Sequence, residues 1–579
     1  MESVSDASGF STESFAEEIF AVPVGYTKMD PDFGKRQKKV ASAVGPEGLW
    51  GLCPEGTHFW CVPEQGRTGR TGRGDFRATI PYIVIRNFLL ILVAVSLSAA
   101  DPVRDYVRAH EREIVRELAA LLEIPNHSSD LPNIERNAEL IRAMFEKRGV
   151  PTRLLRLKNY PPIVLGEIKT PGAKRTFNLY AHYDGQPVDA KLWTNGAPFR
   201  PELRDLTGKV LPLDQTRYDP EWRIFGRSSS DDKGPILFMA TALDAMKAAG
   251  IATKADIRFF FEGEEEAGSP HLTEYLREFK DLLRGDLWII CDGPVHQNRQ
   301  QSIVFGVRGA TTIELTVYGP KKELHSGHYG GWVPNPAQRL ARLIASLSDG
   351  EGHILVKDFY KGVVAFNAAE LKAIAAIPPV EDALKEEFGI ADVEGDGQSL
   401  AATYAKPTLN VRGMRSVDVG AGGRNVIPAE AVASMDIRLV KGLDAQTEVA
   451  RVRDHIVAQG YLVLDREPTD DERRKHNKIA KLTSGAGRGF GYNSVRTALD
   501  LPIAQDVIRA VEAVAGKVVL IPSAGGSVPL AMFQEVTGMP LILVPTVNHD
   551  NNQHSHNENL RLKNLWDGIA VMAALIGMP

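Results

Sequence analysis

The chain reads as an α/β protein, a layered domain with a central, mostly parallel sheet interrupted by a smaller inserted α+β domain. Three observations predict this. Apolar runs at 177–181, 257–261, 287–290 and 541–544 are continuous rather than alternating, as in strands covered on both faces. Helical stretches at 235–249 and 272–279 fall between them, giving the order of a layered α/β domain. Between 309 and 464 the texture changes. Residues 312–318 and 434–440 alternate like half-exposed strands, and helical patterns follow at 336–348 and 445–459.

Taken in order, residues 1–83 have mixed composition, no clear periodicity and an Arg-Thr-Gly repeat around Arg67 to Gly74. They read as a non-native or disordered extension, with translation starting near Val84. Residues 84–100 read as a secretory signal: Arg86, an apolar core, then Ser98-Ala99-Ala100. The apolar run is too short to span a bilayer comfortably, so no stable membrane anchor is expected. A secreted or periplasmic protein follows from this reading. The alternative is a buried strand and helix of an extra domain, in a cytoplasmic protein.

From Asp101, Val103, Tyr106, Val107, Ile114, Leu118, Leu121 and Leu122 recur at helical spacing, and a second amphipathic helix is expected at 134–147. The first domain is expected to occupy 101–308 and to resume within 465–579. Residues 473–488 would serve as a return linker and 503–515 as a helix.

Composition narrows the function. A length of 579 residues exceeds one hydrophobic core. The 43% hydrophobic and 24% charged fractions are those of a soluble globular chain. A net charge of −5 without an aromatic-laced basic run gives no reason to expect nucleic acid as partner. If residues 1–100 are absent from the mature chain, Cys53 and Cys61 go with them. Cys291 then remains, which excludes internal disulfides and cysteine zinc sites.

The chemistry lies in clusters that follow the predicted strands, at the strand ends where open α/β sheets bind ligands. His182-x-Asp184 offers a metal-binding imidazole and a carboxylate to orient it. Asp231, in Ser-Asp-Asp-Lys-Gly, can bridge two cations; helix capping is the bland alternative. Glu262-Gly-Glu-Glu-Glu-Ala-Gly268 crowds acids in a way that is costly without cations, unless the loop is simply solvated. Asp292 adds a carboxylate, and His549, His554 and His556 compete to supply the last imidazole, with His554 favoured. This inventory suits two divalent cations and a general base, hence a co-catalytic metallohydrolase. No Gly-x-Ser-x-Gly elbow, His-Glu-x-x-His helix or phosphate-cradling loop competes with it.

Tyr180-Ala-His-Tyr-Asp184, Gly226 to Gly234, Glu262 to Ser269, Asp292, Leu324-His-Ser-Gly-His-Tyr-Gly-Gly331, Asn425-Val-Ile-Pro428 and His554-Ser-His-Asn-Glu558 together resemble the zinc aminoacylase, carboxypeptidase G and carnosinase family of metallopeptidases. The dipeptidase branch is the nearest, and the resemblance runs from about Asp101 to the C-terminus. It implies that the inserted domain is a ferredoxin-like lid that dimerises. It also implies one metal at His182, Asp231 and Asp292 and another at Asp231, Glu266 and His554, with Glu265 as general base and Asp184 orienting His182. His325 would reach the active site of a second copy, Arg438 would grip a substrate carboxylate, and Gly525, Gly526 and Ser527 would bind substrate backbone. Aspartate at 292 implies cleavage of dipeptides or short peptides; an N-acyl-amino-acid deacylase is the alternative. Zinc is the implied metal, with manganese or cobalt also suited to such ligands. Two departures stand out: Ser228 where many members have glycine, and His556 where proline or glutamine is usual.

Overall fold

The computed structural model describes residues 101–579 except 396, 486–490 and 527–529. The expected extension and signal at 1–100 therefore lie outside the described residues. Among those described, no helix is long and apolar enough to cross a membrane.

In chain order the strands used below are β1 (Thr152–Leu155), β2 (Ile163–Ile168), β3 (Thr176–His182), β4 (Asp256–Glu262), β5 (Leu287–Ile290), β6 (Ser302–Val304), β7 (Gly309–Tyr318), β8 (Thr408–Arg415), β9 (Glu430–Leu439), β10 (Leu462–Leu464), β11 (Ile479–Ser484), β12 (Val519–Ile521) and β13 (Leu541–Leu543). Eight form one sheet in the order β1-β2-β4-β3-β5-β13-β6-β12. Its centre, β4-β3-β5-β13, is parallel. The pairings β1–β2, β2–β4 and β13–β6 are antiparallel, so the sheet is mixed towards its edges.

Both faces of this sheet are covered, which is why its strands read as continuous apolar runs. Phe259 and Phe261 point into a core shared with helices Lys233–Ala249 and Leu562–Ile576. Phe260, one residue out of phase, packs with Trp288, Leu541 and Phe533 on the other face. The two-residue repeat of a strand thus feeds two separate cores.

The inserted domain is a five-stranded sheet in the order β8-β9-β7-β11-β10. Helices Pro336–Ala345 and Ala445–Ala458 cover one face, with Leu340, Leu343, Val452 and Ile456 packed on Ile313, Leu315, Met435 and Ile437. Strand–helix–strand–strand–helix–strand connectivity with the first strand beside the third is the ferredoxin-like arrangement. One expectation is corrected. Residues 473–488, read as a linker, contain β11, which pairs with β7 from Ile313↔Ser484 to Val317↔Ala480. The inserted sheet therefore runs past Leu464. The alternation in Ile479-Ala-Lys-Leu-Thr-Ser484 is short and sits between polar, Gly-rich runs, which hid the strand.

Candidate metal centre

The β3, β4 and β5 strands end side by side, with His182 opposite Glu262 and Tyr180 opposite Ile290. Their C-terminal loops therefore converge. His182 and Asp184 leave β3, Glu265 and Glu266 sit in the turn after β4, and Asp292 follows β5. Gly263 is needed in that turn, because a Cβ there would lie 2.5 Å from the Tyr183 ring. Asp231 stands just before helix Lys233–Ala249 and is joined to Asp232 by a cis peptide bond. His554 enters from the loop between β13 and strand Asn559–Arg561, with a φ of 60°.

Two ligand groups result: His182, Asp231 and Asp292, and Asp231, Glu266 and His554. Within each group the donor atoms lie within 4.8 Å of one another. Asp231 belongs to both. One of its oxygens is 3.0 Å from Nε2 of His182 and the other 3.1 Å from Nε2 of His554, which also lies 3.3 Å from Glu266. Glu265 lies beside them, its carboxylate 3.9 Å from Nε2 of His182 and 11% exposed. His549 and His556 join neither group.

The electrostatics fit a cation site. Burial pushes Glu265 well above the usual carboxylate range, with Asp292 and Glu266 adding to the shift against the pull of His182. Burial, then the neighbouring Asp231 charge, raises Glu266 to about 7 and Asp292 to about 6. Burial would raise Asp231 too, but hydrogen bonds from His182 and His554 outweigh it and hold this carboxyl far below its ordinary value. Acids that must otherwise keep protons to stay buried together are the donor set a divalent cation neutralises. Imidazole plus carboxylate suits zinc, manganese or cobalt.

The surroundings fix these ligands. The carboxylate of Asp184 accepts hydrogen bonds from the backbone N–H groups of Glu265 and Glu266, both at 3.0 Å, and lies 3.4 Å from Nδ1 of His182. Gln186 Nε2 donates to Glu266 at 2.7 Å. Glu558, whose role was not read from the sequence, is fully buried and accepts from Arg227 Nη1, the backbone of Ser228, Ser230 and Asp231, and Ser230 Oγ. In the sequence it stood only as the last residue of the His554-Ser-His-Asn-Glu558 motif, with no role assigned. Ser228 adopts a φ of 63° and accepts a hydrogen bond from Asn126, so the turn keeps a backbone conformation that favours glycine.

The remaining expected residues join neither ligand group. His325 is exposed on the inserted domain, capping the turn Ser326–Tyr329. Arg438 sits on β9, 3.1 Å from Asp436. Gly525 and Gly526 line a cavity of about 750 Å³ that also holds Asp231, Glu265, Glu266, Asp292 and His554. Ser527 falls outside the described residues. Arg308, unforeseen, holds this loop by donating Nε and Nη2 to the Gly525 carbonyl at 3.1 and 3.0 Å.

The chain is 26% identical over 494 residues to a Cys-Gly metallodipeptidase of Schizosaccharomyces pombe, covering 82% of this chain and 97% of that one. It is 27% identical to a human Beta-Ala-His dipeptidase over 72% of this chain and 76% of the relative. Among solved structures it resembles an M20 family metallo-carboxypeptidase from Sulfolobus solfataricus, with a TM-score of 0.66, 25% identity, and coverage of 80% of this chain and 99% of the other. Residues 178–577 match Peptidase family M20/M25/M40. The chain belongs to this peptidase family and is a metal-dependent peptide hydrolase.

Proposed function

We propose that the protein is a two-metal dipeptidase acting on dipeptides or short peptides with a free C-terminal carboxylate. The observation that carries this reading is the pair of ligand groups sharing Asp231 beside the buried, unligated Glu265. The similar proteins named for dipeptide cleavage favour it over N-acyl-amino-acid deacylation.

His182, Asp231 and Asp292 would hold one ion, and Asp231, Glu266 and His554 the other, zinc being the proposed metal. When bound, such ions polarise a peptide carbonyl and acidify water. Glu265, beside both groups and belonging to neither, would accept the water proton and return it to the departing amine. Asp184 keeps Glu265 and Glu266 in register and fixes the His182 ring. Arg438 binds the substrate carboxylate as a fork, and the 525–527 loop binds its backbone.

His325 of a second copy supplies a donor to the tetrahedral oxyanion. A homodimer is supported by β8, a sheet edge with Val411 and Met414 exposed, and by Trp332, 81% exposed near His325. Export through residues 84–100 is proposed from their signal-like pattern; sequencing the N-terminus of the mature protein tests it, and retention of residues upstream of Asp101 rejects it.

The test of function is metal-reconstituted enzyme assayed on dipeptides, N-acetyl amino acids and N-succinyl amino acids. Dipeptide cleavage that is lost in Glu265→Ala while the metals remain supports the reading. Near-wild-type turnover by that variant removes Glu265 as base, and turnover of acyl amino acids alone replaces dipeptidase by deacylase.

A further inference from the structure

One end of the 750 Å³ cavity is the cluster of acids and histidines described above; the other is apolar and is built largely by a segment no motif explained. Residues 364–395 and 397–404 leave the inserted domain and pack against the layered one. Arg496 anchors the first part. Its guanidinium is ion-paired to Glu370 at 3.1 Å, with both side chains nearly buried, donates to the carbonyls of Val364 and Ala365 at 3.1 and 3.0 Å, and lies over the Phe366 ring. Ala373, on helix Ala368–Ala375, packs into the layered domain's core. Tyr404 anchors the second part. It lies under the Arg308 guanidinium, 5.1 Å from ring centre to carbon, and packs so closely on Gly525 that a Cβ there would come within 2.5 Å. The segment is thus a docked strap with its own buried ion pair.

Between these anchors the strap turns Ile374, Ile377 and Tyr404 toward Val307, Ile521 and Leu543 across the cavity. Two polar groups of the strap are tied to its own backbone: Glu381 accepts from the N–H groups of Val380 and Leu400, and Ser399 Oγ accepts from that of Ala402. Most of what this wall offers is apolar surface available for burial.

We infer that the strap forms an apolar subsite, continuous with the metal cluster, for one bulky hydrophobic side chain of the substrate. The enzyme then selects dipeptides bearing a large aliphatic or aromatic residue over those with small side chains. This rests on the dipeptidase reading above and adds its side-chain preference.

The experiment uses the zinc-loaded full chain and compares kcat/KM for Leu-Gly, Gly-Leu, Phe-Gly and Gly-Phe with Gly-Gly, Cys-Gly and β-Ala-His. A bulky residue in one of the two positions is expected to gain about tenfold or more over Gly-Gly, the discrimination that filling an apolar pocket provides. Ile377→Asp is expected to lower the ratio of bulky to Gly-Gly kcat/KM by about tenfold, with loss of that preference itself the readout. Equal cleavage of small and bulky dipeptides, or an unchanged ratio in Ile377→Asp, overturns the subsite and leaves the dipeptidase reading standing. Failure to cleave any dipeptide sinks that reading, and the subsite with it.

Discussion

An oxygen of Glu558 accepts the backbone N–H of Asp231 at 3.0 Å, so a buried carboxylate holds the main chain of the one residue common to both ligand groups. Its second oxygen binds Arg227 and the N–H of Ser228. Replacing Glu558 by Gln puts an amide N–H where an acceptor is required and removes the charge opposite Arg227. The expected outcome is metal affinity weakened by about 10–100-fold. Equilibrium dialysis at a temperature where the variant stays folded by circular dichroism checks it, and wild-type affinity would reject the positioning role.

Asp184→Asn tests a different support. The amide keeps the side chain's size but can offer only one oxygen to the two N–H groups of Glu265 and Glu266. A fall of about 10–100-fold in metal affinity or activity is expected, read by metal titration alongside kcat.

Glu265→Ala separates binding from proton transfer. Because Glu265 belongs to neither ligand group, both metals should remain, while kcat falls by about 10²–10⁴-fold, the range for a lost general base. Metal content by atomic absorption and steady-state kinetics give the two readouts.

Glu262 gives the pH prediction. Burial lifts its carboxyl to about 8 despite the hydrogen bond donated by Tyr180 at 2.7 Å. The unfolded chain releases this proton near pH 4. Between about pH 4 and about 8 the folded state therefore holds a proton the unfolded state has lost, and stability falls as pH rises. Glu262→Gln, of equal size and never charged, should show a shallower decline in thermal midpoint across that window; parallel curves would count against the assignment.

At Ser228, with its φ of 63°, glycine removes the steric penalty but gives up the bond from Asn126. The two effects are each about 1 kcal/mol and oppose one another, so Ser228→Gly should change stability little. Ser228→Val, β-branched in the same conformation, should destabilise by clearly more. Denaturant midpoints distinguish the two.

Much of this was readable from residue order. Unbroken apolar runs marked β3, β4 and β5 because both sheet faces are covered, and the acids and histidine just beyond them were legible as candidate ligands because strand ends converge. Of three histidines near the C-terminus His554 was favoured over His549 and His556, but the turn geometry that brings it toward Asp231, with left-handed residues at 552, 554 and 557, left no mark in the sequence. β11 was lost among polar neighbours, since its partner β7 is far away in sequence and pairing leaves no local mark. The strap at 364–404 was silent for the same reason: Arg496 and Glu370 are an ordinary charged pair until folding buries them together.

The sharing of Asp231 makes the centre unequal in how it can evolve. A descendant could lose one ion by altering Asp292 or Glu266 and keep the other ligand group whole, drifting towards single-ion chemistry in one step. Altering Asp231 would remove a donor from both candidate groups at once, so this aspartate is expected to be the last of the proposed ligands to vary among active descendants.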